Sequence, residues 1–421
     1  FLLTNTPREG GRHFRFRLRE LNAADQRHGG VRIRNCALFI PLLALLVASC
    51  GDDESASDTT TAAAAVDGSS TPPPDTVSPS SVPLDTVAPD TTEGHEHGAD
   101  DATEYPLTIT NCGREITFEK APERVLILNG TSVAEVESFI ALGIEDTIIA
   151  NSQSYGQTDI AGMTEKIAAL PTGGLQLNEN FEVPKEQTLA LEPDLVVSTW
   201  AGGFSEAMGS VTRDELDSLG INSYVTPVNC AYGVGEETPS AEDQAIYDNQ
   251  TFADSFVLLE ELGQIFDVQH DAMHFIEHAQ ADIDAVSAPA VGAEPIHVLV
   301  AYPGMSMMNP SGIPAVFAGP LTDSIIEAAG GINSFDAVPS FAESANINAE
   351  ALAAADVDVL VIGLFMPGER ADDYAAQIFA QYPQWSAAQN NAYTSVAESV
   401  YLGPYNAVGI EKIADAIAAL D

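Results

Sequence analysis

Basic residues are the scarcest feature of this 421-residue chain: 16 Lys and Arg stand against 62 Asp and Glu, a formal net charge of −46 at pH 7. Half of the bases lie in the first 34 residues, so from Cys50 onward eight bases face 59 acids. Such a surface repels phosphate backbones and anionic headgroups, because nonspecific nucleic-acid binding needs clustered Lys or Arg. Nucleic-acid binding is excluded. Cysteine is also sparse, four in all; none sits in a CxxC or Cys/His spacing, which argues against zinc or dithiol redox chemistry. The chain has no GxSxG elbow, HExxH, Walker loop or GxGxxG after a strand, and with them go the usual sequence grounds for an enzyme.

What is present begins with Val47, Ala48, Ser49 and Cys50, which close the apolar run CALFIPLLALLVAS before the polar tract GDDESASDTTT. This segment resembles a bacterial lipobox. Arg32 and Arg34 form a cationic flank, and Cys36 to Val47 is too short to cross ~30 Å of hydrocarbon as a helix. Residues 31–49 therefore read as a lipoprotein signal peptide, and Cys50 as the lipidated first residue of the mature chain. A short buried core helix is the competing reading, but nothing upstream supplies a core to bury it. Residues 1–30 are basic and patternless and read as translated upstream sequence, with no Met before Met163 and Val31 an alternative initiator.

From Gly51 to Glu104 the chain carries 13 acids, no base and no aromatic residue. It cannot bury enough apolar surface to offset its conformational entropy, so residues 50–104 read as the lipidated cysteine and a disordered spacer with a root-mean-square span of ~40 Å. His95 and His97 in this tract make at most a weak metal pair. Cys36 leaves with the signal peptide and Cys50 takes lipid, and the remaining Cys112 and Cys230 in an exported protein invite one disulfide.

Tyr105 to Asp421 alternates strand-like and helix-like segments. TITNC and EITF around Gly113 predict a hairpin; RVLILN, DTIIA, LEPDLVVST, SYVTP, IHVLVAY and DVDVLVIG predict short strands of the kind parallel sheets bury on both faces. SVAEVESFIALG predicts a helix ending at Gly143. Glu186 to Ser198 and Glu350 to Ile362 form a weak repeat: a Glu, an apolar helical stretch, an Asp eight residues on (Asp194, Asp358), then a strand. Between them, Ala272, Ile276, Ala279, Ile283 and Val286 share one helix face. The fold class is thus α/β: two Rossmann-like lobes with mostly parallel sheets, residues 105–267 and 289–421, joined by a single long α-helix at 268–288.

At these residues the chain resembles the substrate-binding lipoproteins of ABC importers for ferric siderophores, cobalamin and haem, whose two lobes are joined by one long helix. YPLTITNCGREITFEKAPERVLILN resembles the opening hairpin and first strand of actinobacterial members. LEPDLVVS, AAGGIN and INAEALAAADVDVLVI resemble later family elements, although Val357 replaces the usual Pro. The resemblance implies an extracytoplasmic, lipid-anchored monomeric receptor with no catalytic role and no cofactor, capturing an Fe³⁺-siderophore or similar chelate for a permease and its ATPase. It also supports a Cys112–Cys230 bridge. It places the ligand between the lobes, at loops after strand C-termini, which agrees with the general rule for α/β sheets. Candidate contacts on those loops are Asn129, Tyr155, Trp200, Tyr302, Met305, Phe365, Met366 and Arg370, the last able to meet an anion in bidentate fashion. Permease docking falls by analogy to Glu137 on the first lobe and to Asp323 or Glu327 on the second.

Two other readings compete. His270, His274 and His278, spaced by four, suggest a bare Zn or Mn ion, but they lie opposite Ile276 and Ala279 and point to solvent, and the strand-end loops contain no His. A cell-surface enzyme or a sensor on the same fold is the second. In the receptor reading, Trp200→Ala weakens chelate binding with little change in the ligand-free melting point.

Overall fold

Two apolar-poor strands and a tight turn open the folded body. In the computed structural model, which describes residues 102–130, 132–153, 156–234, 239–286, 294–308 and 313–420, every strand foreseen from an apolar run is present. β1 (Leu107–Asn111) and β2 (Arg114–Phe118) form an antiparallel hairpin. Its two-residue turn has φ 53° at Cys112 and 70° at Gly113. Two successive positive φ values match the twist of the flanking strands, and Gly supplies one without steric cost.

β3 (Val125–Ile127), β4 (Ile148–Asn151), β5 (Leu195–Ser198) and β6 (Asn222–Val225) make a wholly parallel sheet in the order β4-β3-β5-β6. The second sheet contains β7 (His297–Tyr302), β8 (Ala315–Phe317), β9 (Ile332–Asn333), β10 (Val359–Gly363) and β11 (Tyr393–Val396). Its order is β11-β10-β7-β8, with β9 also on β7, and only the β7–β8 pair is antiparallel. β3, β5 and β10 are buried along their whole length, which is why their sequences run apolar without alternation.

The internal repeat has a physical basis. Asp194 accepts hydrogen bonds from the backbone N–H of Glu123 and Arg124 at 2.9 Å each, just before β3. Asp358 accepts from the N–H of His297 at 2.9 Å, at the start of β7. Each Asp thus clips its own strand to the neighbour's opening residues, and the backbone N–H of each returns a bond to the same place, Arg124 O and His297 O.

The helix Asp254–Phe266 ends at Asp267 (φ 60°), and after Val268 the helix Gln269–Ala285 runs for 17 residues, about 26 Å. Ala272 packs with Val125, Phe139 and Leu262 in the first lobe's core, and Ile283 with Val300 and Ile413 in the second's. One helix is therefore rooted in both cores, which limits the angle through which the lobes can swing. Its last helical residue is Ala285, short of the expected 288: Val286 is extended (ψ 125°) and packs half-buried against the second core from that conformation.

Cys112 and Cys230 are bridged across a sequence separation of 118, with Cα atoms 5.1 Å apart. The bridge and the Asn111 side chain, which donates to Val225 O at 2.7 Å and accepts from Val225 N at 2.9 Å, hold the hairpin to the end of β6. Arg213 is buried behind it, donating to Asn111 Oδ1, Ser223 Oγ and Ser223 O at 3.0 Å each, and burial lowers its pKa to about 10. All these residues belong to one compact unit. Cys50, the signal segment and the spacer up to residue 101 lie outside the described residues, as does Tyr155.

Candidate functional site

The C-terminal ends of the two sheets meet across a polar seam. On the first lobe Glu135, in the opening turn of the helix Ala134–Ala141, accepts from Thr199 Oγ1 at 2.7 Å, Gln153 Nε2 at 3.0 Å and Thr226 Oγ1 at 2.7 Å. Those three donors follow β5, β4 and β6, so one carboxylate gathers three strand ends. Its neighbour Val133 donates its N–H across the seam to Glu398 Oε2, just after β11, at 3.2 Å. Asp159 crosses in the opposite direction, accepting from Ala397 N at 2.8 Å, Ser399 N at 3.0 Å and Lys412 Nζ at 2.6 Å. Gln157 Nε2 donates to Met366 O. Open α/β sheets bind ligands at such strand C-termini.

The seam is acidic and buried. Glu135 and Glu137 are 2 % exposed and Glu398 4 %. Burial, with the charges of Asp159 and Glu135 behind it, pushes the Glu398 carboxyl up to about 8, against the hydrogen bonds from Val133 and Ser132. Glu137 is raised well above the carboxylate range by burial and by Glu398 and Asp159, and its Oε1 has no hydrogen-bond partner.

The structure redistributes the candidate contacts. Asn129, after β3, is half-buried; its Nδ2 donates to Phe181 O at 2.7 Å while Oδ1 is buried without a partner. Phe365 is half-buried and its N–H is held by Glu369 at 2.6 Å; Met366 is 45 % exposed beside the seam. Tyr302, foreseen as a ligand contact, is instead a core residue with no exposure. It stacks on Phe317 at 4.4 Å and its hydroxyl donates to Ala397 O, because the end of β7 faces the packed interior of its own lobe. Met305 is likewise 6 % exposed, receiving the Tyr401 hydroxyl at 3.5 Å. Arg370 is not free for an anion: Asp373 holds Nε at 3.2 Å and Asp372 lies 3.7 Å from Nη2.

Trp200 is half-buried in a slot made by glycines. A Cβ on Gly202 or Gly233 would come within 2.7 Å and 2.2 Å of its ring, and Tyr232 covers it at 5.1 Å, itself stacked on Tyr247 at 5.5 Å. Trp200→Ala therefore empties a packed slot, which argues against little change in the ligand-free melting point. The ligand-free variant should lose about 1–3 kcal/mol. Thermal denaturation without ligand checks this; a variant melting with the parent would show that the stack carries no stability.

The docking carboxylates divide by exposure. Glu137 is enclosed at the seam and cannot meet a permease in this arrangement. Asp323 is half-buried, accepts from Asn333 Nδ2 at 2.7 Å, and is raised to about 6, first by burial. Glu327, one turn on, is exposed. His270, His274 and His278 are exposed on the connecting helix, with Nε2 of His274 and His278 3.3 Å apart. Among the described residues no group of three or more His, Cys, Asp or Glu side chains is placed to hold a metal ion.

Sequence reasoning missed Glu135, Asp159 and Glu398, since one acid among 59 carries no signal of its own, and Gln153, a lone amide in a loop, carries none either. It also missed Phe181, 73 % exposed at φ 62° in the loop before Glu182. There the signal was available: an apolar ring inside the polar stretch NENFE.

A family model described as periplasmic binding protein matches residues 131–394, more than half of the chain. Among solved structures, an ABC-type Fe³⁺-hydroxamate transport system from Saccharomonospora viridis is 24 % identical, covering 75 % of this chain and 99 % of its own, with a TM-score of 0.53. A periplasmic binding protein from Veillonella parvula is 15 % identical, covering 74 % and 97 %, with a TM-score of 0.55. A periplasmic heme-binding protein from Roseiflexus is 18 % identical, covering 70 % and 98 %, with a TM-score of 0.46. At these identities the first two likenesses are of fold. A search of curated proteins found no match.

Proposed function

The chain belongs to the periplasmic binding protein family, and from that premise we propose that it captures an iron-siderophore-type chelate between its lobes and hands it to an ABC permease. The family comprises solute receptors that act outside the cytoplasm. The observation that carries the finer reading is the seam itself: strand C-termini of both sheets meet there, with Asn129, Phe365 and Met366 on adjoining loops. A helix rooted in both cores suits a receptor that opens by a small angle. Cobalamin or haem is the alternative ligand on the same site. Lipid on Cys50 would hold the receptor near its importer at high effective concentration, and Glu327, exposed on the second lobe, is the proposed docking acid. No catalytic role is proposed.

A ligand bound between the lobes stabilises the native state by ~2.7 kcal/mol at a hundredfold excess over its dissociation constant. Thermal-shift titration of the full chain against ferric hydroxamates, ferric catecholates, cobalamin, haem and Zn²⁺ tests the reading. A shift with at least one chelate is expected; a shift with Zn²⁺ alone would sink it.

A further inference from the structure

The charge that such a ligand carries can be read from where the chain spends its few cations. From Cys50 onward there are eight, and each has a place. Arg114 pairs with Asp214 at 2.5 Å and Lys120 with Glu123 at 2.6 Å. Arg124 donates to the carbonyls of Leu191 and Glu192 before β3, at the end of the sheet opposite the seam. Lys166 is exposed on the helix Met163–Ala169, Lys185 pairs with Glu215, and Arg213 is buried behind the hairpin. Arg370 and Lys412 belong to the interlobe side, and both are taken, by Asp372 and Asp373 and by Asp159.

Acidic side chains are built into the same seam. Glu135 and Asp159 lie at the seam as hydrogen-bond acceptors beside Glu137 and Glu398, whose burial favours their neutral forms, and Glu369 bridges the loop after β10, accepting from Phe365 N and from Tyr374 Oη at 3.1 Å. Glu137 Oε1 is unpartnered there. We infer that the interlobe site selects a ferric chelate of zero or positive net charge and rejects polyanionic ones. The inference rests on the receptor reading above. Fe³⁺ bound by three hydroxamates, each singly negative, is neutral, and an added ammonium makes it +1; three doubly negative catecholates leave −3. Among the described residues no hydrogen bond or ion pair brings an unpaired guanidinium or ammonium to the seam to neutralise that −3, since Lys412 and Arg370 are paired with acids there and Lys166 forms no ion pair with it, and the carboxylates of Asp159 and Glu369 disfavour an anion further.

The experiment titrates the full chain, by tryptophan fluorescence and thermal shift, with a ferric trihydroxamate of charge +1, a neutral one, and a ferric tris-catecholate of charge −3, with cobalamin and haem as further probes. The first two should bind, and the −3 complex should be weaker by roughly a hundredfold or more, the cost of like charges juxtaposed. The gap should narrow as salt is raised from 0.1 M to 1 M and the screening length falls from about 10 Å to about 3 Å. Met366→Lys, which puts a cation on an exposed loop position, should weaken the +1 complex and strengthen the −3 complex. Equal or tighter binding of the −3 chelate overturns the charge selection and leaves the receptor intact. Failure of every probe removes the receptor reading, and the inference with it.

Discussion

Glu398→Gln should raise the melting temperature at pH 8.5, leave it nearly unchanged at pH 4.5, and flatten the pH dependence between. In the folded protein this carboxyl titrates near 8 rather than its ordinary 4.5, first because it is buried and then because Asp159 and Glu135 lie close. Between those values the native state holds a proton that the unfolded chain has released, so stability falls as pH rises. The group's contribution is fully present below about pH 4.5 and lost as pH passes through about 8. At about 1.4 kcal/mol per unit the window is worth on the order of 5 kcal/mol. Gln keeps an oxygen to accept from Val133 N and cannot ionise. Glu182 (about 7), Asp323 (about 6) and Glu137 are raised as well, each first by burial, so their signs agree. The parent should therefore melt higher at pH 5 than at pH 8.5, and the variant should retain a smaller slope of the same sign. Denaturation at pH 5, 7 and 8.5 measures it. Parallel curves for parent and variant would mean that the seam does not hold this proton.

Cys112→Ser should cost about as much. The bridge closes a sequence separation of 118, and restricting the unfolded chain over that length is worth about 5 kcal/mol. For cooperative melting of the body, the loss corresponds to a fall on the order of 7 °C. Reductant should bring the parent to the same melting temperature and leave the variant unmoved. If reduced parent and variant both melt with the oxidised parent, Asn111 and Arg213 alone suffice to hold the hairpin. Because the bridge lies beside β6 and away from the seam, ligand affinity measured below the transition should be preserved.

Much of the fold was legible because burial on both faces forces unbroken apolar runs. β3, β5, β7 and β10 announce themselves in this way, as does the hairpin turn at Gly113. The Asp194 and Asp358 repeat was visible as spacing, and its cause, a clip onto the neighbouring strand's start, needed coordinates. The site was less legible. Strand-end loops could be placed from the order of elements, but direction could not: Tyr302 and Trp200 are aromatic residues just beside strand ends, and one turns wholly into the core while the other fills a glycine slot.

By itself the sequence determined the α/β alternation, the two-lobed plan and the shortage of cations, since these follow from composition and periodicity that no packing can alter. Only the tertiary structure decided which carboxylates lose their water. Glu137 and Glu327 are both helical acids in similar apolar contexts, yet one is enclosed between lobes and the other faces solvent. Desolvation and the nearness of other charges arise from residues hundreds of positions apart, as with Asp159 and Lys412 or Val133 and Glu398. Such pairs leave no local pattern to read.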